Sequence, residues 1–229
     1  MAKFNDERLS ELLLFHNLDA RELSWLAERL HCKNYPAGAN IMSVEQPGEV
    51  VYFIMSGTVK VHIEQLDGND VVLAILGRGD TVGEMSLIDS AGRSASAVTL
   101  EDSSLLWMDR QSFQEGLRTI PNLALNLVRI LSRRVRQANE QIQTLATLNV
   151  YGRVARQLLA FAEKYGSTAE NGHILIPIRL TQSDIADLVG ASRKRVNQVI
   201  VTFKSQQYIT VDPSGRITVI NRAGLARHC

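Results

Sequence analysis

The stretch Leu180-Thr181-Gln182-Ser183-Asp184-Ile185-Ala186-Asp187-Leu188-Val189-Gly190-Ala191-Ser192-Arg193-Lys194-Arg195-Val196-Asn197-Gln198-Val199-Ile200 predicts two short helices joined by a tight turn. Thr181 is placed to cap the first helix. Asp184, three residues on, completes a near capping box and puts an acid in the first turn, where the helix dipole favours it. Ala186 is small enough for two helices to cross closely. Gly190 can adopt the left-handed backbone that ends the first helix, and Ser192 can cap the second. Ile185, Leu188, Val189, Val196, Val199 and Ile200 then face inward. Arg193, Lys194, Arg195, Asn197 and Gln198 are left on the outer side, and these are side chains that read base edges in a major groove. The pattern predicts a DNA-binding helix-turn-helix, with Thr181, Gln182 and Ser192 at the helix starts completing the DNA-facing set. The alternative is an ordinary helical hairpin with a basic outer face.

Downstream, Tyr208-Ile209-Thr210-Val211, the turn Asp212-Pro213-Ser214-Gly215 and Arg216-Ile217-Thr218-Val219-Ile220 read as a β-hairpin. Such a hairpin after a helix-turn-helix is a wing, and Arg216 near its tip is expected to contact phosphate. Charge follows the same division. The whole chain of 229 residues carries a net charge of +1, but residues 1–148 hold 14 Lys and Arg against 19 Asp and Glu, and residues 149–229 hold 11 against 5. A basic C-terminal domain on a larger acidic one fits a nucleic-acid reader joined to something else.

Upstream, the pattern is helical from Pro121 for about 27 residues, an unusually long helix. Leu123, Leu127, Ile130, Leu131, Val135, Ala138, Ile142 and Leu145 form its apolar stripe, interleaved with Arg129, Arg133, Arg134, Arg136 and Glu140. A stripe over nearly four heptads is expected to make a dimer seam, the alternative being a helix packed only on its own domain.

Before this helix the period is that of strands. Thr58 to Glu64 alternates strictly, Val50 to Met55 and Val71 to Leu76 are apolar β-like runs, and Ser94 to Leu100 and Ser104 to Met108 follow. Glycine turns at short intervals predict a jelly-roll or barrel. Leu9 to Leu14 and Leu18 to Leu30 predict two short amphipathic helices ahead of it. The fold class is therefore α+β: an N-terminal β-barrel domain with its helices over residues 1–120, a long dimerisation helix over 121–148 and a winged helix-turn-helix over 149–229.

Within the barrel, Gly83-Glu84-Met85-Ser86-Leu87-Ile88 followed by Arg93-Ser94-Ala95-Ser96-Ala97 is the second motif. A glycine permits close approach of a ligand, and a short helix starting here would offer free N–H groups to a phosphate. Arg93 can give a fixed bidentate cation and Ser94 a hydroxyl donor, while Glu84 can accept from a sugar hydroxyl. Alone, Glu84 and Arg93 could equally be a structural ion pair.

Several classes are excluded on composition. Cys32 and Cys229 cannot make a disulfide framework or a four-thiolate site, and the five histidines show no ligand spacing, so no metal is expected. No nucleophile is set beside a base and no nucleotide-hydrolysing loop occurs, so the chain is not expected to be an enzyme. Neither a signal peptide nor a membrane span is visible, and a cytoplasmic location is expected.

From about Arg8 to the C-terminus the chain resembles the Crp/Fnr family of transcription regulators. The glycine-punctuated barrel, the cassette, the long helix and the winged helix-turn-helix occur in that family's order. The resemblance implies that Gly83, Glu84, Arg93 and Ser94 match the cassette's glycine, ribose-binding glutamate, phosphate-binding arginine and serine, with Met85, Ser86 and Ala95 beside them. It implies a cyclic nucleotide effector rather than another signal, no covalent cofactor, a homodimer on a palindromic double-stranded operator, and RNA polymerase as a further partner. The link from Glu84 to Arg93 is one residue shorter than in the enteric branch.

At the base-binding positions the enteric branch has Thr-Ser and this chain has Ala138 and Asn139; Asn139 resembles the actinobacterial branch. Cyclic AMP leads, with cyclic GMP and cyclic di-GMP as alternatives, and a ligand-binding module that acts on a protein partner is the rival class. On the recognition helix Arg193 matches a guanine-reading arginine. Lys194 replaces the family's usual glutamate and Gln198 the enteric branch's second arginine. Lysine donates to guanine and glutamine can pair with adenine, so the family's usual TGTGA half-site is not expected.

Overall fold

A computed structural model describes residues 9–65 and 70–229. They divide into two units, residues 9–65 with 73–136, and residues 70–72 with 137–229.

In the first unit, helix α1 (Ala20–Ala27) starts at Asp19, whose side chain accepts from the Glu22 N–H at 2.8 Å while Glu22 accepts from the Asp19 N–H at 2.8 Å. This is a full capping box. The other expected N-terminal helix is not a regular one within the described residues. Leu9 and Ser10 are helical, and Leu13–Phe15 form a single 3-10 turn. Leu12, Leu14 and Phe15 are all buried, and neighbours in sequence cannot share one face of an α-helix.

Eight strands follow: β1 (His31–Tyr35), β2 (Asn40–Met42), β3 (Val50–Ser56), β4 (Val59–Glu64), β5 (Asp70–Leu76), β6 (Thr81–Val82), β7 (Ser96–Thr99) and β8 (Ser103–Asp109). They make two four-stranded sheets, ordered β1-β8-β3-β6 and β2-β7-β4-β5. β3 lies antiparallel to β8 with Val51 opposite Met108 and Phe53 opposite Leu106, and β4 lies antiparallel to β7 with Val61 opposite Ala97. The expected jelly-roll is borne out, but as two open sheets rather than a closed barrel, since each ends in edge strands.

The period of two along β3 explains its two cores. Ile54 joins Tyr35, Ile41, Met42, Val59, Leu76, Val82, Ala97 and Leu105 in a cluster drawn from strands of both sheets. Val51 and Phe53, on the opposite face, pack with Leu14, Leu26, Leu106, Phe113 and Leu123 under the helices.

Helix α2 (Met85–Asp89) follows β6, and α3 (Arg110–Thr119) follows β8 with Asp109 accepting from the Ser112 N–H at 2.8 Å. Helix α4 spans Pro121–Thr147, 27 residues. Proline at the first helical position loses no bond there. The expected stripe is divided. Leu123 and Leu127 belong to the first unit's core, with Ile130 and Leu131 partly buried against it. Val135 and Ile142 of the stripe are 61 % and 66 % exposed, and Val128, outside the expected stripe and seven residues before Val135, is 59 % exposed. Buried Asn126 donates through Nδ2 to the carbonyls of Leu14 and His16 at 3.0 and 2.7 Å and accepts from Arg129 Nη1 at 3.1 Å.

The second unit contains α5 (Val150–Tyr165), α6 (Gln182–Val189), α7 (Arg193–Ser205) and α8 (Arg222–Ala226), with strands β9 (Ser167–Thr168), β10 (Ile174–Ile176), β11 (Ile209–Val211) and β12 (Ile217–Val219) in the order β11-β12-β10-β9. Its core includes Val154, Leu158, Ile185, Leu188, Val196, Val199 and Phe203.

Candidate functional site

Two places concentrate the chemistry, one in each unit. In the first, β6 ends at Val82 and Gly83 turns the chain with φ +87° into α2. A Cβ at Gly83 would sit 2.4 Å from Arg93 Nη1, so glycine is needed for the arginine as well as for the backbone angle. Arg93 is 8 % exposed. Its Nη1 donates to the Gly83 carbonyl at 2.8 Å and to Ser86 Oγ at 3.1 Å, and its Nη2 donates to the Val50 carbonyl at 2.7 Å. The arginine thereby ties the cassette to β3. Burial pulls its pKa down, partly offset by Tyr52, while the Arg110 charge pulls it down further.

Glu84 is 1 % exposed. Its Oε1 accepts from Arg134 Nη1 at 2.6 Å, and Arg134 Nη2 also donates to the Thr81 carbonyl. The pair that forms is therefore Glu84 with Arg134, 50 residues on, rather than Glu84 with Arg93. The sequence names Arg134 only among the charged residues interleaved with the apolar stripe of the long helix, yet it lies three and four residues beyond Leu131 and Ile130, which pack on the core. That spacing places it on the packed side and was the signal to find it.

Glu84 Oε2, Arg93 Nε and Thr81 Oγ1 are buried without a hydrogen-bond partner among the described residues. A buried carboxylate oxygen and a buried guanidinium N–H left open together fit a ligand that carries both hydroxyl donors and an anionic group. Of the other cassette residues, Ser86 and Ala95 are buried while Met85 and Ser94 are exposed. Asn139, five residues beyond Arg134 on α4, is exposed. Tyr52, beside this cluster, has its phenol pushed up to about 12, first by burial and then by Tyr35.

In the second unit the expected helix-turn-helix forms as read. Thr181 accepts at Oγ1 from the Asp184 N–H at 3.1 Å, and Asp184 Oδ2 accepts from the Thr181 N–H at 2.9 Å. Gly190 adopts φ +61°, and Ser192 Oγ accepts from the Arg195 N–H at 3.3 Å. Three carbonyls at the end of α6 are also capped: Arg153 Nη1 donates to Val189 and Gly190 at 2.9 and 3.2 Å, and Gln141 Nε2 to Leu188 at 3.2 Å.

Ser192, Arg193, Lys194, Arg195, Asn197 and Gln198 are exposed on one side of α7, as expected. Some of them are already engaged. Gln182 Nε2 donates to Asn197 Oδ1 at 2.9 Å, and Arg195 Nη1 to Gln198 Oε1 at 3.1 Å. Arg216 opens the second wing strand and donates through Nε to the Pro177 carbonyl at 3.2 Å.

Residues 32–119 match the cyclic nucleotide-binding domain family, and residues 152–228 match the Crp-like helix-turn-helix domain family. The chain is 34 % identical over 207 residues to the CRP-like cAMP-activated global transcriptional regulator of Mycobacterium tuberculosis, covering 90 % of this chain and 92 % of that protein. The chain belongs to the Crp/Fnr family. A second relative of this Crp/Fnr protein is the cyclic AMP receptor protein of Thermus thermophilus, 32 % identical over 87 % of this chain and 89 % of the relative. In fold it is similar to the solved structure of FixK2 from Bradyrhizobium japonicum, with a TM-score of 0.76 over 87 % of this chain and 96 % of that one at 22 % identity. The Crp/Fnr protein is a DNA-binding transcription regulator with a cyclic nucleotide-binding domain, and not an enzyme. No helix among the described residues is long and apolar enough to cross a membrane.

Proposed function

We propose that this regulator binds cyclic AMP in the cassette around Glu84 and Arg93 and, as a homodimer, reads a palindromic operator with α7. The observation that carries this is the pair of open buried groups, Glu84 Oε2 and Arg93 Nε, in one cassette. Glu84 would accept from a ribose hydroxyl. Arg93 and Ser94, with Gly83, Met85, Ser86 and Ala95 around them, would hold the cyclic phosphate, and Asn139 would meet the base. The names of the two curated relatives support cyclic AMP over cyclic GMP or cyclic di-GMP. The effector is the switch, since it shifts an equilibrium only by its preference between two states.

On the DNA side, Thr181, Gln182, Ser192, Arg193, Lys194, Arg195, Asn197 and Gln198 would form the reading face and Arg216 would contact phosphate. RNA polymerase is the proposed further partner and the cytoplasm the proposed location. The working domains are residues 1–120, 121–148 and 149–229.

Calorimetry with the three nucleotides, alongside a mobility-shift assay on fragmented genomic DNA with and without each, tests the reading. Cyclic AMP should bind most tightly and raise DNA affinity. Arg93→Leu should lose roughly ten- to a thousandfold in cyclic AMP affinity. Unchanged affinity in Arg93→Leu, or tighter binding of cyclic di-GMP by the wild type, overturns it.

A further inference from the structure

Arg195 is held from two sides. Its guanidinium lies 5.5 Å from the centroid of the Tyr151 ring, within the range of a cation–π contact. Its Nη1 donates to Gln198 Oε1 at 3.1 Å. Arginine has only donors, so the amide atom it meets is the oxygen; one of that oxygen's two lone pairs is taken, and both N–H donors of Gln198 stay open for a base edge. Tyr151 is itself anchored: its ring packs edge-on against Phe203 at 6.0 Å and stacks with His228 at 6.2 Å, and its hydroxyl is 3.4 Å from Thr202 Oγ1. Thr202 Oγ1 in turn donates to the backbone carbonyl of Gln198 at 2.9 Å.

We infer that Tyr151 is a positioning residue for sequence readout: its ring fixes Arg195, Arg195 engages one of the two lone pairs of Gln198 Oε1 and so sets the turn of the amide, and Gln198 therefore meets its base pair chiefly through its NH2. This rests on α7 being the base-reading helix. A free glutamine pairs with adenine by donating to N7 and accepting from N6 together, which needs its oxygen turned to the base, whereas a glutamine whose oxygen is held by Arg195 presents its NH2 and is satisfied by the acceptors of guanine, N7 and O6. At the position Gln198 reads, the wild type prefers guanine. Once the clamp is released, adenine becomes the preferred base.

Binding selection on random duplexes, with the full chain and saturating cyclic AMP, tests this in four variants. Tyr151→Leu and Arg195→Met should each raise the adenine-to-guanine ratio at one base pair of the half-site by about fivefold or more, the low end of what a bidentate pair discriminates. Tyr151→Phe keeps the ring and loses the hydroxyl route through Thr202, so it should keep the wild-type motif. Gln198→Ala should lose preference at that same base pair. Arg195 is exposed, so Arg195→Met carries the test even where loss of the Tyr151 ring unfolds the domain. A motif unchanged in Arg195→Met, while Gln198→Ala alters it, overturns the clamp and leaves α7 as the reader. A motif unchanged in Gln198→Ala overturns the reading of α7 at this position and the clamp with it.

Discussion

Arg134, on the long helix, donates through Nη1 to Oε1 of Glu84 at 2.6 Å, while Glu84 itself is 1 % exposed. The long helix thus supplies the counter-charge for the buried acid of the cassette. Arg134→Met leaves that acid uncompensated and is expected to destabilise the protein by about 1–3 kcal/mol, between the values for exposed and fully buried pairs. Glu84→Gln in the same chain should recover part of the loss. Urea unfolding of the two single variants and the double variant checks this, and strictly additive losses would contradict a direct pair.

Glycine is required for different reasons at two positions. Gly190 has φ +61°, but an added Cβ would make an ordinary contact, 3.4 Å from Leu145 Cδ2. Gly190→Ala should therefore cost only the left-handed backbone, about 1–2 kcal/mol. Gly83→Ala adds a clash, 2.4 Å from Arg93 Nη1 and 3.2 Å from the Val50 carbonyl. It should cost more and also weaken cyclic nucleotide binding, because Arg93 must move. Thermal unfolding with calorimetry on both variants makes the comparison, and equal losses would show that Arg93 yields freely.

Tyr52 sets an alkaline limit. Its phenol is pushed from 10.0 up to about 12, mainly by burial, so the folded state holds its proton more tightly than the unfolded chain does. Stability from this group is complete below pH 10.0 and is lost as pH rises towards about 12. Tyr52→Phe should show a shallower fall in stability over that window than the wild type. Urea midpoints at a series of pH values measure it, and parallel falls would place the alkaline loss elsewhere.

Val128, Val135 and Ile142 recur at heptad spacing on α4 and are all more than half exposed, as a seam between two copies requires. Light scattering should find a dimer at micromolar concentration. Ile142→Asp should shift it towards monomer without unfolding the chain, because the replaced side chain is not in either core. A wild-type monomer, with and without cyclic AMP, would refute the seam.

The features legible in the sequence are those fixed within a few residues. Asp184 follows Thr181 by three and can only close a capping box, Gly190 alone among its neighbours tolerates positive φ, and Pro121 starts a helix without losing a bond. The alternation from Thr58 to Glu64 commits that segment to a strand with two faces. These are short-range steric and hydrogen-bond constraints, so the helix-turn-helix, the wing, the 27-residue helix and the strand-rich domain follow from local pattern.

Pairing over long separations was decided only by the tertiary structure. Periodicity identifies a stripe on α4, but it cannot say that Leu123 and Leu127 fill the chain's own core while Val135 and Ile142 stay open. Residue type marks Glu84, Arg93 and Arg134 as charged without choosing which cation meets the acid. That choice falls to Arg134 because packing brings its turn of helix to Thr81 and Glu84, while Arg93 is drawn to the carbonyls of Gly83 and Val50. A buried charge takes whichever partner the packed elements deliver within hydrogen-bond reach, and that distance is not written in any local stretch of sequence.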